Sequence, residues 1–424
     1  MTNNSLKCYS PADILLPDMN KTNAKKWAVI ACDQFTSEPE YWEKVERTVG
    51  DAPSTLRITL PEVYLDEAQE RIPSINATMK DYIRDVLVAH GNAEIFVERV
   101  QSDGSVRRGI LLSVDLECYD YRKGASSLIR ATEATVVERI PPRVAIRRNA
   151  EVELPHVMLL IDDPERTVIE PLINDCDGEV AYDTELMLGG GRIKGRFLSE
   201  KNIARVSKAL DRLVSPEKMG ERYGDVSLSP LLFAVGDGNH SLATAKALYE
   251  ETKAKLGEDA AKNHPARYAL VEIVNIHDEA LKFEPIYRVM FGVEPKDVIE
   301  ALNAYIAELD GNAEPQTLTY LYGETVGCLE VKTPVRQLPV ATLQEFIDGY
   351  LESHSGASVD YIHGEESVKA LAAKENAIGF IFTGMGKSEL FKTVIFDGAL
   401  PRKTFSMGHA EDKRYYLECR KITL

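Results

Sequence analysis

No stretch limits the architecture of this chain as tightly as residues 228–256. The apolar run Leu231-Leu-Phe-Ala-Val235 passes without a break into Gly236-Asp237-Gly238-Asn239-His240-Ser241, and Leu242-Ala-Thr-Ala-Lys-Ala-Leu-Tyr249 follows at once. Short apolar runs bounded by turn residues read as buried strands, and the alanine- and leucine-rich segment reads as a helix. We therefore expect a strand over 228–235 and a helix over 241–256, joined by a glycine loop. That is a building block of an α/β fold.

The remaining elements fit the same class. Trp27–Cys32 and Val157–Ile161 read as further buried strands, stopping at Asp33 and at Asp162-Asp163-Pro164. Ser37-Glu38-Pro39-Glu40 opens a helix to Val49, with Ser37 as its cap. Helical spacing recurs over 60–70, over 75–90 ahead of Gly91, and over 199–213. Strands over 93–101 and 107–114 flank the turn Ser102-Asp103-Gly104-Ser105. Residues 128–138 and the arginine-rich 143–149 fall among the strands, and 268–276 is another. Beyond Gly292 helices at 296–309 and 341–353 alternate with strands at 318–322, 328–331, 378–383, 391–396 and 415–422. The expectation is a mixed α/β (α+β) chain without regular βαβ spacing, divided into a main domain, 1–291, and a C-terminal α/β region, 292–424.

The balance of charge and cysteine excludes several classes of function. With 67 acidic against 50 basic side chains, the net charge of −17 argues against a nucleic-acid partner, which leaves a basic footprint. Six scattered cysteines with no CxxC pair read as free thiols in a reducing, cytoplasmic setting. No apolar run approaches the ~20 residues that span a bilayer, and no histidine has metal-ligand spacing to another.

The glycine loop is the best candidate site. A strand-to-helix junction presents backbone N–H groups at the positive end of a helix dipole, and small residues let a phosphate approach them. Gly236, Gly238, Asn239 and Ser241 would form that cradle, His240 would donate to the same anion, and Asp237 would accept a proton or hold a metal. The spacing is neither a Walker A loop nor a dinucleotide fingerprint. A tight turn with a polar cap is the competing reading, but such a turn has no need of the histidine.

At these residues the chain resembles the bacterial and archaeal domain of unknown function 1015 family, which carries an aspartate–glycine–histidine–histidine–arginine stretch between a strand and a helix. Four other segments agree in order: Ala31-Cys32-Asp33; Thr132-Glu133-Ala134-Thr135 with Arg143 downstream; Pro285-Ile286-Tyr287-Arg288; and Leu400-Pro401-Arg402-Lys403-Thr404-Phe405. Ser241 replaces an arginine of the pattern, while Tyr287 and Thr132 each replace a histidine, so a phosphate grip taken from the family is weakened here. The loop is also similar to the glycine–x–histidine–arginine helix start of the ParB/sulfiredoxin fold, whose equivalent residues bind nucleotide phosphates. That resemblance implies a ParB/sulfiredoxin-like nucleotide-binding core with added mixed-sheet elements, and phosphoryl transfer or nucleotide hydrolysis as the activity.

Each remaining candidate has a plainer alternative. Asp33 ends an apolar strand, where ligand-facing side chains gather, or it caps the next turn. Glu133 is a general base, or a surface partner of the arginines near it. Arg143, Arg288 and Lys403 would neutralise phosphoryl charge, or lie on solvated faces. Gly189-Gly190-Gly191-Arg192 is a lid or a plain hairpin, and His156 and His277 read as structural. The leading expectation is an enzyme on a phosphorylated small molecule or nucleotide, a phosphotransferase or hydrolase with ATP or ADP as substrate. In that expectation Asp237, with Asp33 or Glu133, serves as base or Mg²⁺ ligand. The competing class is a non-catalytic metabolite sensor using the same anion site.

Overall fold

The computed structural model describes residues 7–133, 140–224 and 227–424. The chain divides into two compact units: residues 1–131, 135–281 and 409–424 form the first, and 132–134 with 282–408 form the second. The boundary expected at 291/292 therefore falls at 281/282, and the C-terminal segment returns to the first unit. The reason is strand pairing, since Tyr415–Tyr416 pairs antiparallel with Val29–Ile30 and Arg420–Lys421 pairs with Val152–Glu153.

Among the described residues the first unit is built on a ten-stranded mixed sheet. Its middle runs Ile95–Val100, Val106–Asp115, Tyr268–Asn275, Met158–Ile161, Phe233–Asp237 and Ile129–Ala131 in spatial order. Met158–Ile161 is parallel to Tyr268–Asn275 and antiparallel to Phe233–Asp237. Alternation along these strands fills two cores. Phe96, Ile110, Leu112, Leu159 and Ile273 enter one, while Ile95, Val97, Leu111 and Leu270 enter the other with Trp27 and Trp42. The second unit carries its own six-stranded sheet, in which Phe283–Phe291 lies between Ser358–His363 and Ala377–Phe382.

The second core of the first unit holds charges. Glu272 is fully buried, and the Arg414 guanidinium pairs with it and donates to Glu418 Oε2 at 2.5 Å and to the Pro155 carbonyl at 3.2 Å. Arg107 Nε stands 3.7 Å from Glu272 Oε1. Gly109 makes room for this, because a Cβ there would come within 2.6 Å of that same oxygen. Burial alone pushes the Glu272 carboxyl up, but Arg414 and Arg107 outweigh it and hold the group below its ordinary range.

Several expected elements differ. The segment read as a strand over 27–32 is a helical turn, Ala24–Trp27, capped by Asn23, followed by the short strand Val29–Ile30. The helix expected to run to His90 ends at Asp85, and Leu87–Ala93 is a strand paired with Ala12–Pro17, so Gly91 caps nothing. The arginine-rich segment is helical over Ile140–Arg147. Residues 391–396 belong to the helix Lys387–Phe396, whose buried Leu390, Phe391 and Val394 fit a helical face as well as a strand. Residues 134–139, part of the stretch expected as a strand to 138, lie outside the described residues.

Candidate active site

The glycine loop forms as expected. Strand Phe233–Asp237 gives way at Gly238 to the helix Asn239–Leu256, whose own bonding begins with Leu242 N donating to Gly238 O at 3.0 Å. The amides of Asn239, His240 and Ser241 precede that ladder, at the positive end of an 18-residue helix. Gly238 has φ +83°, and a Cβ on it would meet Val157 Cα and Cγ2 at 3.0 Å. A Cβ on Gly236 would meet Leu160 Cγ at 2.7 Å. Both glycines therefore let the loop lie flat against the neighbouring strand. His240 and Ser241 sit in the first helical turn, half-buried, and Thr244 Oγ1 donates to the His240 carbonyl at 2.7 Å.

Asp237 ends the strand. Its Oδ1 accepts the Gly238 N–H at 2.9 Å, and its Oδ2 accepts from Lys413 Nζ at 3.0 Å. The lysine arrives on the returning C-terminal segment, 176 positions along the chain from Asp237. Next to it in the chain, buried Arg414 anchors that segment in the core. Two residues further on, the Tyr416 hydroxyl accepts the Cys32 N–H at 3.1 Å and stands 3.0 Å from His156 Nδ1. It also donates to Cys32 Sγ at 3.2 Å.

Asp33 follows Cys32 and joins the same group. His156 Nε2 lies 3.9 Å from its Oδ2, and Gln34 Nε2 donates to its Oδ1 at 2.9 Å. Burial raises this carboxyl, but His156, the Gln34 bond and Lys413 together outweigh burial and hold it below its ordinary value, so it is ionised at neutral pH. Burial pushes the Cys32 thiol up to about 12, with the Asp33 charge adding to the effect, so it stays protonated. Arg143 reaches Glu62, whose N–H bonds to the Cys32 carbonyl at 2.8 Å; Arg143 Nε donates to Glu62 Oε1 at 3.2 Å. Its expected phosphate partner is here replaced by a carboxylate.

The structure thus gathers Asp33, Arg143 and the 236–241 loop in the first unit and adds Lys413, His156, Tyr416 and Glu62. Lys413 left only a weak trace, a charged Asp412-Lys413-Arg414 run directly ahead of the stretch 415–422 read as a strand. His156, read as structural, touches Tyr416 and faces Asp33. Glu133, Arg288 and Lys403 belong to the second unit. Arg288 is fully buried and donates to Gln344 Oε1 at 2.7 Å and to the carbonyls of Ile286, Lys403 and Arg402 at 2.6, 3.1 and 3.1 Å. All three of its nitrogens are spent on neutral oxygens, so it clamps chain rather than gripping phosphate. Burial pushes it down to about 10. Gly189-Gly190-Gly191 closes a hairpin packed on Tyr415, whose hydroxyl donates to the Met187 carbonyl at 3.1 Å.

Mg²⁺ does not suit this donor set. The oxygens of Asp237 and Asp33 already face an ammonium, an imidazole, an amide and a backbone N–H. Among the described residues no three His, Cys, Asp or Glu side chains are grouped to hold a metal ion. The arrangement offers instead an ionised Asp33 carboxylate and, paired with Asp237 where the glycine loop opens, the Lys413 ammonium. Among the described residues no helix is long and apolar enough to cross a membrane.

A family model described as "Protein of unknown function (DUF1015)" matches residues 17–383. No curated protein matches the sequence. Among solved structures, a conserved hypothetical protein from Pyrococcus furiosus is 12% identical with TM-score 0.35, the match covering 74% of this chain and 95% of that one. A free serine kinase in complex with AMP is 11% identical with TM-score 0.36, covering 74% and 92%. SbnI from Staphylococcus aureus is 13% identical with TM-score 0.33, covering 74% and 87%.

Proposed function

This chain belongs to the DUF1015 family of proteins of unknown function, and from that premise we propose that its first unit binds a nucleotide or phosphorylated small molecule and transfers a phosphoryl group. The observation that carries the reading is Lys413 Nζ, 3.0 Å from Asp237 at the mouth of a glycine loop and helix start. Helix-start amides and an ammonium are what a phosphate needs, and an ionised carboxylate nearby is what an acceptor needs.

In this reading the amides of 239–241 and His240 hold the phosphates of ATP, and Lys413 turns from Asp237 to the transferred group. An acceptor hydroxyl, or water, gives its proton to Asp33 as its oxygen bonds to the γ-phosphorus. The bond from that phosphorus to the bridging oxygen breaks, and its electron pair leaves with ADP. His156 and Lys413 keep Asp33 ionised for the task. We assign the loop to the ParB/sulfiredoxin kind of strand–glycine–helix junction and, on six free thiols, place the protein in the cytoplasm.

The test is thermal stabilisation and phosphate release with ATP, ADP and GTP, on wild type and on Lys413→Ala, Asp33→Asn, Asp237→Asn and His240→Ala. Lys413→Ala and His240→Ala should lose the nucleotide shift. Asp33→Asn should keep the shift and lose turnover. A shift without turnover in wild type would point to the sensor class, and no shift with any nucleotide would sink both readings.

A further inference from the structure

A second group of cations lies wholly in the second unit, and the phosphoryl transfer proposed for the first unit does not use it. It begins with Arg288, which is fully buried on strand Phe283–Phe291 and, among the described residues, hydrogen-bonds to no carboxylate. Burying a guanidinium is costly unless its donors are satisfied, and two of its bonds fall on the carbonyls of Arg402 and Lys403. Thr404 Oγ1 ties the same turn by donating to the Pro401 carbonyl at 2.7 Å. Within this turn Lys403 adopts φ +52°, a left-handed conformation that a lysine takes only where its surroundings impose it.

The result is a fixed crowding of positive charge. Around the Tyr361 ring centroid stand Arg288 Cζ at 4.6 Å, Lys403 Nζ at 5.4 Å and Arg402 Cζ at 5.6 Å. Arg402 Nε donates to the Tyr361 hydroxyl at 2.5 Å, which leaves the phenol proton to donate elsewhere. The side chains of Arg402 and Lys403 are exposed. Among the described residues the carboxylates facing this group are Asp348, 3.3 Å from Arg402 Nη2 and half-exposed, and Glu133, which acts on Arg288. Among the described residues three cations meet two carboxylates. Holding like charges together costs free energy that an anion would recover, and a fork beside an ammonium and a phenol suits a tetrahedral oxyanion.

We infer that Arg402, Lys403 and the Tyr361 hydroxyl form an anion site of the second unit that takes a phosphate group, with Arg288 positioning the turn that presents them. This inference does not rest on the reading of the glycine loop.

The experiment is equilibrium dialysis of the full chain with radiolabelled inorganic phosphate at low ionic strength. Wild type is compared with Arg402→Gln/Lys403→Gln, Asp348→Asn and, for the other unit, Lys413→Gln. The double variant changes exposed side chains, so the fold should persist, and thermal unfolding verifies this. Expected are loss of one phosphate equivalent in the double variant, its retention in Lys413→Gln, and several-fold tighter binding in Asp348→Asn, where a competing carboxylate is gone. Undiminished phosphate binding by the double variant, or weaker binding by Asp348→Asn, would overturn the site. So would a wild type that binds no phosphate. Loss confined to Lys413→Gln would leave the glycine-loop reading standing and overturn this one.

Discussion

The Asp237 carboxylate and the Lys413 ammonium are separated by 176 positions of chain and stand 3.0 Å apart. Both side chains are about a quarter exposed, so the pair contributes little to stability, about 1 kcal/mol or less. Its value lies in availability, because a partly solvated lysine can exchange one anionic partner for another.

Lys413→Ala should therefore weaken nucleotide binding by roughly 10–100-fold, the ~1.5–3 kcal/mol of a charge-assisted hydrogen bond. The unfolding midpoint should barely move. Lys413→Arg, which keeps the charge, should recover part of the affinity. Calorimetric titration with ATP checks this, and equal affinity in the alanine variant would remove Lys413 from the site.

Gly238→Ala tests the loop's geometry. The added methyl must accept φ +83° and meets Val157 Cα, a backbone atom that cannot swing aside, at 3.0 Å. A cost of about 1–2 kcal/mol in unfolding free energy is expected. Nucleotide affinity should fall as the helix-start amides shift. Urea titration and ligand titration on the same variant separate the two effects.

These residues also show what could be read in advance. The loop was legible because its signals are local: an apolar run, two glycines, then a helix, all within one stretch of chain. Lys413, His156 and Tyr416 were not, since each acquires its role from partners more than 100 positions away. Arg288 misled for the opposite reason. An arginine in a suggestive segment reads as a phosphate ligand until burial and five neutral acceptors show that each of its nitrogens already donates within the fold. The strand Leu87–Ala93 was hidden by the same kind of non-local cause, since pairing with Ala12–Pro17 overrides a helical pattern.

Arg414→Met should be severely destabilising. Removing the guanidinium leaves Glu272 and Glu418, both fully buried, facing each other without it. The expected loss is roughly 3–5 kcal/mol, the cost of stranding buried charge. Because the same segment carries Lys413 and Tyr416, nucleotide affinity should fall too, even under conditions where the variant is folded. Urea denaturation with parallel ATP titration checks both, and a stability within error of wild type would show that the buried network is not anchoring the C-terminal segment.

Glu94 sets a pH dependence with a definite sign. The residue is 2% exposed, and burial pushes its carboxyl from 4.5 up to about 7, with only Lys7 opposing. The folded chain thus holds this proton more tightly than the unfolded chain. Below about 4.5 both states are protonated and the group costs nothing. Between about 4.5 and 7 the unfolded chain ionises first, so stability falls as pH rises, and above about 7 the loss is complete. A displacement of this size corresponds to about 3 kcal/mol. Glu94→Gln, neutral throughout, should match wild type within about 1 kcal/mol at pH 4.5 and exceed it by about 3 kcal/mol at pH 8. Contributions from other titrating groups cancel in the difference. Urea titrations of both proteins at the two pH values measure it, and a gap that stays constant would mean that Glu94 ionises as readily in the fold as outside it.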